Sequence, residues 1–559
     1  MLADQPQTTN PLGWLPGDYM LTFPGYGDNV PWSVNQAALQ QAMDQGQPIA
    51  DSYIDPGTGE RIPKSPTTGL ARIFHQFYSA ATCAQALHLV KSRCWYNLSN
   101  LQGGKAMLTD CITKPISLSS LRRQKVLIEF DGGKITSDAG ALLLREADRR
   151  LDLVKRMSAC IPDPRDPDCI EHQQTTMIAQ RVMAIACGWE DLNDHQSLRK
   201  DPLWQIVTNR GVDDEKPLAS PPTLCRLENR VSRKTCFKLS SLMVEQFIES
   251  HREPPKELIV DFDATNDPLH GHQEGRFFHG YYDEYCFLPL YVFCGSQLLC
   301  SYLRPSDIGA AHHAWAILSL LVKRFRQVWP KVRILFRGDS GFCRWRMMRW
   351  CDKHQVDYII GLARNPVLEK IAGGLMREAE TQYQATGVKQ RIFAWTQYGA
   401  KTWDHKRPII MKAEHTAEGP NPRFVVTSLK GDAQGLYDAT YCARGQAENY
   451  IKEQQLGLFA DRTSCHDFVA NQFRVLLSGF AYILIDHLRR TVLVGTELAT
   501  AQVDTIRLKL LKIGAVVKTS VRRLVLHLSS AYPLQTLFKL VCEKLGGLTA
   551  LHIDQQTTG

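Results

Sequence analysis

The sequence predicts an α/β protein organised on a mixed sheet, and three observations predict it. Short runs rich in Val, Ile, Leu and Phe alternate with helical stretches between 256 and 365. Two of these runs end near an aspartate, Asp263 in KELIVDFDATNDP and Asp339 in VRILFRGDSGF. A glutamate, Glu448, follows in YCARGQAENYIKE, which reads as a helix.

The elements follow in chain order. Residues 1–64 are rich in Pro, Gly, Gln and Asp and read as turns. Residues 65–106 contain no Asp or Glu, and Met107 then opens a stretch of ordinary composition. Segment 1–106 is therefore set apart and expected to be poorly ordered. Segment 107–250 is mainly helical. Within it, QKVLIEFDGGKITSDAGALLLREADRR predicts a strand, a Gly-Gly turn and a helix that Ser137 or Asp138 is placed to cap. SPPTLCRLENRVSRK predicts a helix with Ser220 as N-cap and Pro221 and Pro222 in its first turn. Arg226, Arg230 and Arg233 lie three or four residues apart and are expected to share one face, either solvated or turned toward DNA.

Segment 251–365 carries the predicted core. KELIVDFDAT, YYDEYCFLPLYVFCG and QLLCSYLRP predict three strands, and GAAHHAWAILSLLVKRFRQVW a helix. VRILFRGD, CRWRMMRWCDKHQ and VDYIIGLAR predict strand, helix and strand. That order is the one expected of a ribonuclease-H-like catalytic core. Segment 366–435 adds strands (RIFAWTQYGAKTW, RPIIMKAEHT, RFVVTSL) before the glutamate, and 436–490 is helical and carries it. Segment 491–559 is a basic C-terminal α/β region, where KIGAVVKTSVRRLVLHLSS predicts a hairpin carrying Arg522 and Arg523.

Charge is uneven along the chain. Residues 1–64 hold two Lys/Arg against seven Asp/Glu, a balance of −5, so the remainder of a chain with net charge +9 carries +14. A basic body suits a polyanionic partner, because binding releases condensed counterions. No uninterrupted apolar run reaches the roughly 20 residues a spanning helix needs, so no membrane partner is expected. Sixteen cysteines without a Cys-x-x-Cys pair read as reduced thiols in a cytoplasmic protein.

The carboxylates point to chemistry on phosphodiesters. Two Mg²⁺ ions can neutralise a phosphodiester, activate the attacking oxygen and stabilise the leaving one. Magnesium takes hard oxygen ligands and keeps several waters, so two or three carboxylates suffice. Asp261 and Asp263 point to the same sheet face, since side chains alternate with period two. Asp263 is the first choice because it lies nearer the strand end, and Asp261 is the alternative. Glu448 and Glu453 cannot both face one site, being about 140° apart on a helix; Glu448, one turn from both Arg444 and Lys452, is preferred. His270 and His272 read as turn residues rather than metal ligands, and His312 and His313 as structural.

At these residues the chain resembles the DDE transposases of bacterial insertion sequences, in particular the family numbered thirteen-eighty. The words that carry the resemblance are FDGGKITSDAGALLLREADRR, GWEDLNDHQSLRKDP, PTLCRLENR, DFDATNDPLHGHQEG, FRGDSGF, RGQAENYIKE and VRRLVLHLSSAYP, across roughly 124–545. The resemblance implies a ribonuclease-H-like core, with 366–435 as a β-rich insertion before the glutamate and 436–490 returning to the core, and metal-dependent strand transfer of element ends, with the triad at Asp263, Asp339 and Glu448. It implies two Mg²⁺ ions, with Mn²⁺ as a substitute, and double-stranded DNA partners: inverted-repeat ends and target DNA. It further implies a homodimer assembled on DNA and a bacterial, nucleoid-associated location. Tyr441, Arg444 and Glu448 match the related Tyr-Arg-Glu-Lys pattern, but Gln455 stands where its lysine is expected, which leaves phosphate contact to Lys452. Residues 1–106 fall outside the resemblance and suit read-through from beside another gene. DNA ends are expected to meet Arg226 and Arg230, with Arg522 and Arg523 assisting. The competing readings are a ribonuclease-H-like nuclease without strand transfer and an inactive transposon-derived DNA-binding protein.

Overall fold

Runs of alternating burial build the centre of the molecule. In the computed structural model the described residues are 115–211 and 216–553, with three short antiparallel strands upstream, Tyr19–Thr22, Ala50–Ile54 and Arg61–Pro63. The chain divides into two units, 1–113 and 114–559. The expectation of poor order over 1–106 lies, those strands aside, outside the described residues.

The second unit begins with a hairpin (Ile116–Leu121 and Gln124–Ile128) and a helical region. Its main helices are α1 (Ala141–Leu151), α2 (Leu153–Cys160), α3 (Gln174–Ala186), α4 (Pro221–Asn229) and α5 (Arg233–Glu249). Ser220 is the N-cap of α4, with proline in its first turn. Two expectations fail here. The N-cap of α1 is Gly140, not Ser137 or Asp138. Asp138 is instead fully buried between Lys512 at 2.7 Å and the Trp189 indole N–H at 2.9 Å. Nor do Arg226, Arg230 and Arg233 share a helix face, because α4 ends at Asn229 and Ser232 caps a new helix, accepting from the Thr235 N–H.

The sheet follows. Its strands are β1 (Glu257–Ala264), β2 (Leu290–Cys294), β3 (Gln297–Tyr302), β4 (Arg333–Gly338), β5 (Asp357–Leu362), β6 (Gln390–Tyr398), β7 (Arg407–Thr416) and β8 (Arg423–Thr427), with two residues, Gly419–Pro420, added beside β7. The order is β3-β2-β1-β4-β5-β8-β7-β6. Only β1–β4 and β4–β5 pair in parallel; the other pairs are antiparallel. The strands expected as an insertion thus continue the same sheet, after a 21-residue helix, α8 (Pro366–Thr386).

Period-two alternation sorts the side chains. Leu258, Val260 and Phe262 of β1 pack with α5, α6 (Ala314–Val328) and α7 (Trp345–Lys353) on one face. Leu335 of β4 and Ile359 of β5 pack with Ala433 and Tyr437 on the other, and Ile259 joins them. Each fully buried side chain of this size contributes roughly 1.5–3 kcal/mol. Asp261, Asp263 and Arg337 share the parity of Ile259 and Leu335, so they stand on that second face.

The run YYDEYCFLPLYVFCG splits in two. Glu284–Phe287 joins a small sheet with Asp267–Pro268 and Phe277–His279, and β2 joins the large one. Pro289 marks the break; it has no N–H to donate, and its carbonyl accepts from the Thr265 N–H at 3.3 Å.

Beyond the sheet come α9 (Gly445–Lys452) and α10 (Phe468–His487). The span Phe468–Val492 is long and apolar enough to cross a membrane, but 78% of its most apolar window is buried inside the protein, as in a core helix. The expected basic hairpin is present as Ala515–Ser520 and Arg523–Leu528.

Candidate active site

Three carboxylates reach one region from three elements. Asp263 is the second-last residue of β1 and lies opposite Tyr291 of β2. Asp339 follows the last residue of β4 and caps a short 3₁₀ turn, accepting from the Gly341 N–H at 2.8 Å. Parallel pairing of β1 with β4 brings the two strand ends side by side. Glu448 lies in the first turn of α9 and is half exposed.

Arg444 joins them. Its guanidinium donates to Asp263 Oδ2 at 2.9 Å and to Glu448 Oε1 at 2.7 Å. It is mostly buried, and this arrangement places one cation between two carboxylates. Burial, with Asp339 and Glu448 adding their repulsion, pushes the Asp263 carboxyl up to about 6, although Arg444 opposes the shift. Burial would lower the Arg444 guanidinium, but Asp263, Tyr441, Glu448 and Asp339 together raise it. Asp339 and Glu448 both act on Asp263, and all three act on Arg444, so the three carboxylates share one neighbourhood.

Among the described residues no three metal-ligating side chains form a ready coordination shell. The donor chemistry nevertheless fits a hard divalent cation: all three side chains offer oxygen, and their repulsion is what a cation relieves.

Asp261 is set apart from this group. It is buried, and Arg337 of the neighbouring strand holds it with two N–H groups, one of them to Oδ2 at 2.7 Å. The third Arg337 donor reaches the Thr440 carbonyl at 2.6 Å. Glu453 is likewise remote from Glu448 in environment, being buried in a π-helical turn against Arg489 at 3.0 Å.

Tyr441 stands against the sheet, and burial raises its phenol while Arg444 lowers it. A Cβ on Gly361 of β5 would come within 2.5 Å of the Tyr441 hydroxyl and 2.9 Å of the Ser340 nitrogen. Glycine here permits a close approach of β5 to the Asp339 turn. Gln455, beyond α9, donates to the Asn266 carbonyl at 2.9 Å and to Asp267 at 2.7 Å. It ties the segment after Asp263 to the segment after Glu448. Sequence reasoning missed Arg337, Gly361 and the Gln455 tie; a glycine inside the apolar run YIIGLA was the available signal for the second.

The remaining expected residues are dispersed. Lys452 is exposed at the end of α9 and has no ion pair among the described residues. Arg226 is exposed on α4, where it donates to Thr223 Oγ1 at 3.1 Å. Arg230 is partly buried and engaged with Asp163 at 3.1 Å and with Gln174. These two partners tie it within the helical region. Arg522 and Arg523 are exposed at the tip of the basic hairpin. His270 and His272 are exposed in the loop after β1, and His313 precedes α6 in a left-handed conformation.

The family model described as transposase DDE domain group 1 matches residues 118–550 of this chain. No curated protein matches it. Among solved structures, a cryo-EM structure of the piggyBac transposase synaptic complex with hairpin DNA is similar at 11% identity and a TM-score of 0.33, over 67% of this chain and 79% of that one.

Proposed function

Because the chain belongs to the transposases of DDE domain group 1, we propose that it cuts and joins DNA at Asp263, Asp339 and Glu448, with two Mg²⁺ ions held there and Mn²⁺ able to replace them. The observation that carries this reading is the Arg444 fork, which holds Asp263 and Glu448 on one cation within the field of Asp339. The strand order β3-β2-β1-β4-β5, with only its last two pairs parallel, supports a ribonuclease-H-like core.

Metal ions bound by the three carboxylates supply charge neutralisation, an activated water or 3′-hydroxyl, and a stabilised leaving oxygen. The chain's own groups prepare that event. The Gly341 N–H fixes the Asp339 carboxylate. Arg337 neutralises Asp261, which leaves Asp263, paired with Arg444, as the acid that this face of β1 presents beside Asp339 and Glu448. Arg444 is a planar donor suited to phosphate oxygens once the acids are otherwise neutralised. Lys452 lies two turns further along the same chain segment and suits a second phosphate contact.

DNA is the partner of a transposase. Arg226, Arg522 and Arg523 are exposed cations suited to the DNA backbone, and the inverted-repeat ends of a bacterial insertion sequence are the proposed specific ligand. A homodimer on DNA and action at the nucleoid in the cytoplasm complete the reading. The helical region 107–250, the core 251–365 and 436–490, and the basic region 491–559 are assigned to end binding, catalysis and supporting contacts, with 366–435 widening the sheet.

The test is incubation of the purified chain with Mg²⁺ or Mn²⁺ and a plasmid carrying the DNA that flanks its own gene. Cleavage at the element ends and joining to target DNA are expected. Asp263→Asn and Asp339→Asn should abolish both while end binding persists. Full activity in either variant removes that residue from the site.

A further inference from the structure

The small sheet after β1 exposes more aromatic surface than folding requires. Phe277, Phe278, Tyr281 and Tyr285 are 43%, 52%, 85% and 44% exposed within nine residues. Large apolar surface of this kind marks a binding site on a soluble protein. The rings form two contacting groups: Phe278 lies 5.5 Å from Tyr285, and Tyr282 lies 5.0 Å from both Tyr281 and His279. The Arg276 guanidinium stacks over Tyr285 at 3.8 Å.

The position of this sheet narrows the occupant. Its Asp267–Pro268 strand begins three residues after β1 ends and pairs with Cys286 and Phe287. The base of the aromatic hairpin is therefore anchored to the segment that directly follows the strand end presenting Asp263. After burial and Tyr281, the carboxylates of Asp263 and Asp339 both act on the Tyr282 phenol, so the ring stands in the field of both. A duplex hides the faces of its bases and is held by cations on its phosphates. Exposed ring faces with one stacked arginine suit unpaired bases instead, because every base has a π-face.

We infer that the aromatic hairpin 277–287 is a stacking platform for unpaired nucleobases of the DNA strand whose phosphate lies at Asp263, Asp339 and Glu448. The inference rests on the proposed DNA-cleaving role of those carboxylates and adds to it a preference for frayed or single-stranded DNA beside the cut.

The test compares two probes in metal-free buffer, where binding is read without cleavage. One is a blunt 20-base-pair duplex, and the other is the same duplex with a five-nucleotide single-stranded extension carrying 2-aminopurine. The full chain should bind the extended probe roughly tenfold more tightly and quench the 2-aminopurine on binding. Tyr281→Ala, at a position too exposed to disturb the fold, should remove the preference and the quenching, and Tyr281→Trp should keep both. Equal affinity for the two probes, or a Tyr281→Ala chain indistinguishable from the unaltered one, overturns the inference. So does loss of self-association in Tyr281→Ala with DNA binding unchanged, which assigns the platform to a second copy. Duplex cleavage with Mg²⁺, measured separately, tells the two readings apart: a chain that cleaves without preferring the extension contradicts only the platform.

Discussion

Asp261 and Asp263 stand two residues apart on one strand face, and their partners divide them. Asp261 is enclosed with Arg337, whereas Asp263 shares Arg444 with Glu448. Removing one partner of a buried pair leaves the other charge uncompensated, at a cost of about 3–5 kcal/mol. Asp261→Asn should therefore lower the melting temperature sharply, while Asp263→Asn should abolish cleavage with little effect on melting. An Asp261→Asn chain as stable as the unaltered one contradicts this division. Asp267 gives a pH signature. Burial, reinforced by Asp461 and opposed by the Gln455 hydrogen bond, pushes its carboxyl up to about 8, against about 3.9 when unfolded. The folded chain keeps a proton that the unfolded chain releases, so this contribution to stability is complete below about pH 4 and is lost as pH rises through 8. Asp267→Asn imitates the protonated acid. It should raise the melting temperature markedly at pH 9 and much less at pH 5, where most of the contribution is still present; equal shifts at both would count against the assignment. The choice of Asp263 over Asp261 could be made from sequence only by nearness to the strand end. The reason for it, the Arg337 clasp, depends on a parallel pairing between segments 76 residues apart.

Elements meet at the site through close contacts rather than through apolar bulk. Gly361 lets β5 pass the Asp339 turn and the Tyr441 hydroxyl. Gly361→Ala should therefore reduce cleavage well beyond its effect on folding, and Tyr441→Phe should rescue it only in part, because the Ser340 backbone remains 2.9 Å from the new methyl. Full rescue by Tyr441→Phe, or normal cleavage by Gly361→Ala alone, would show that the approach is not needed. The strands and helices of 256–365 were legible from alternation of apolar runs. The break at Pro289 was also visible as a proline, yet the surrounding apolar residues read as one strand. The two arginines of the α4 region illustrate the opposite limit. Spacing alone put Arg226 and Arg230 on one helix face, but the helix stops between them, and Arg230 turns to Asp163 and Gln174. Partners that distant in sequence leave no local signal.

The molecule as a whole separates into the units 1–113 and 114–559, and the family match begins at 118. A chain beginning at Met107 should fold and transpose as well as the full one. Solubility with loss of transposition would show that the preceding segment contributes to function. The α10 helix shows why whole-molecule context decides such readings. Its composition alone suits a membrane, and its burial against the sheet and the helical region makes it a core element. Arg474 interrupts its apolar run, which is why counting uninterrupted residues passed over it.

Comparing Glu448→Gln with Glu453→Gln on plasmid DNA carrying the element ends, in Mg²⁺, with melting temperatures recorded for both, separates a catalytic glutamate from a structural one. Glu448 is half exposed and shares Arg444 with Asp263, whereas Glu453 is buried against Arg489. With Glu448 as the third catalytic carboxylate, Glu448→Gln should melt normally and neither cleave nor join DNA, and Glu453→Gln should melt earlier but retain cleavage at temperatures where it is folded. Cleavage and joining by Glu448→Gln, beside a folded Glu453→Gln chain that does neither, would contradict that assignment.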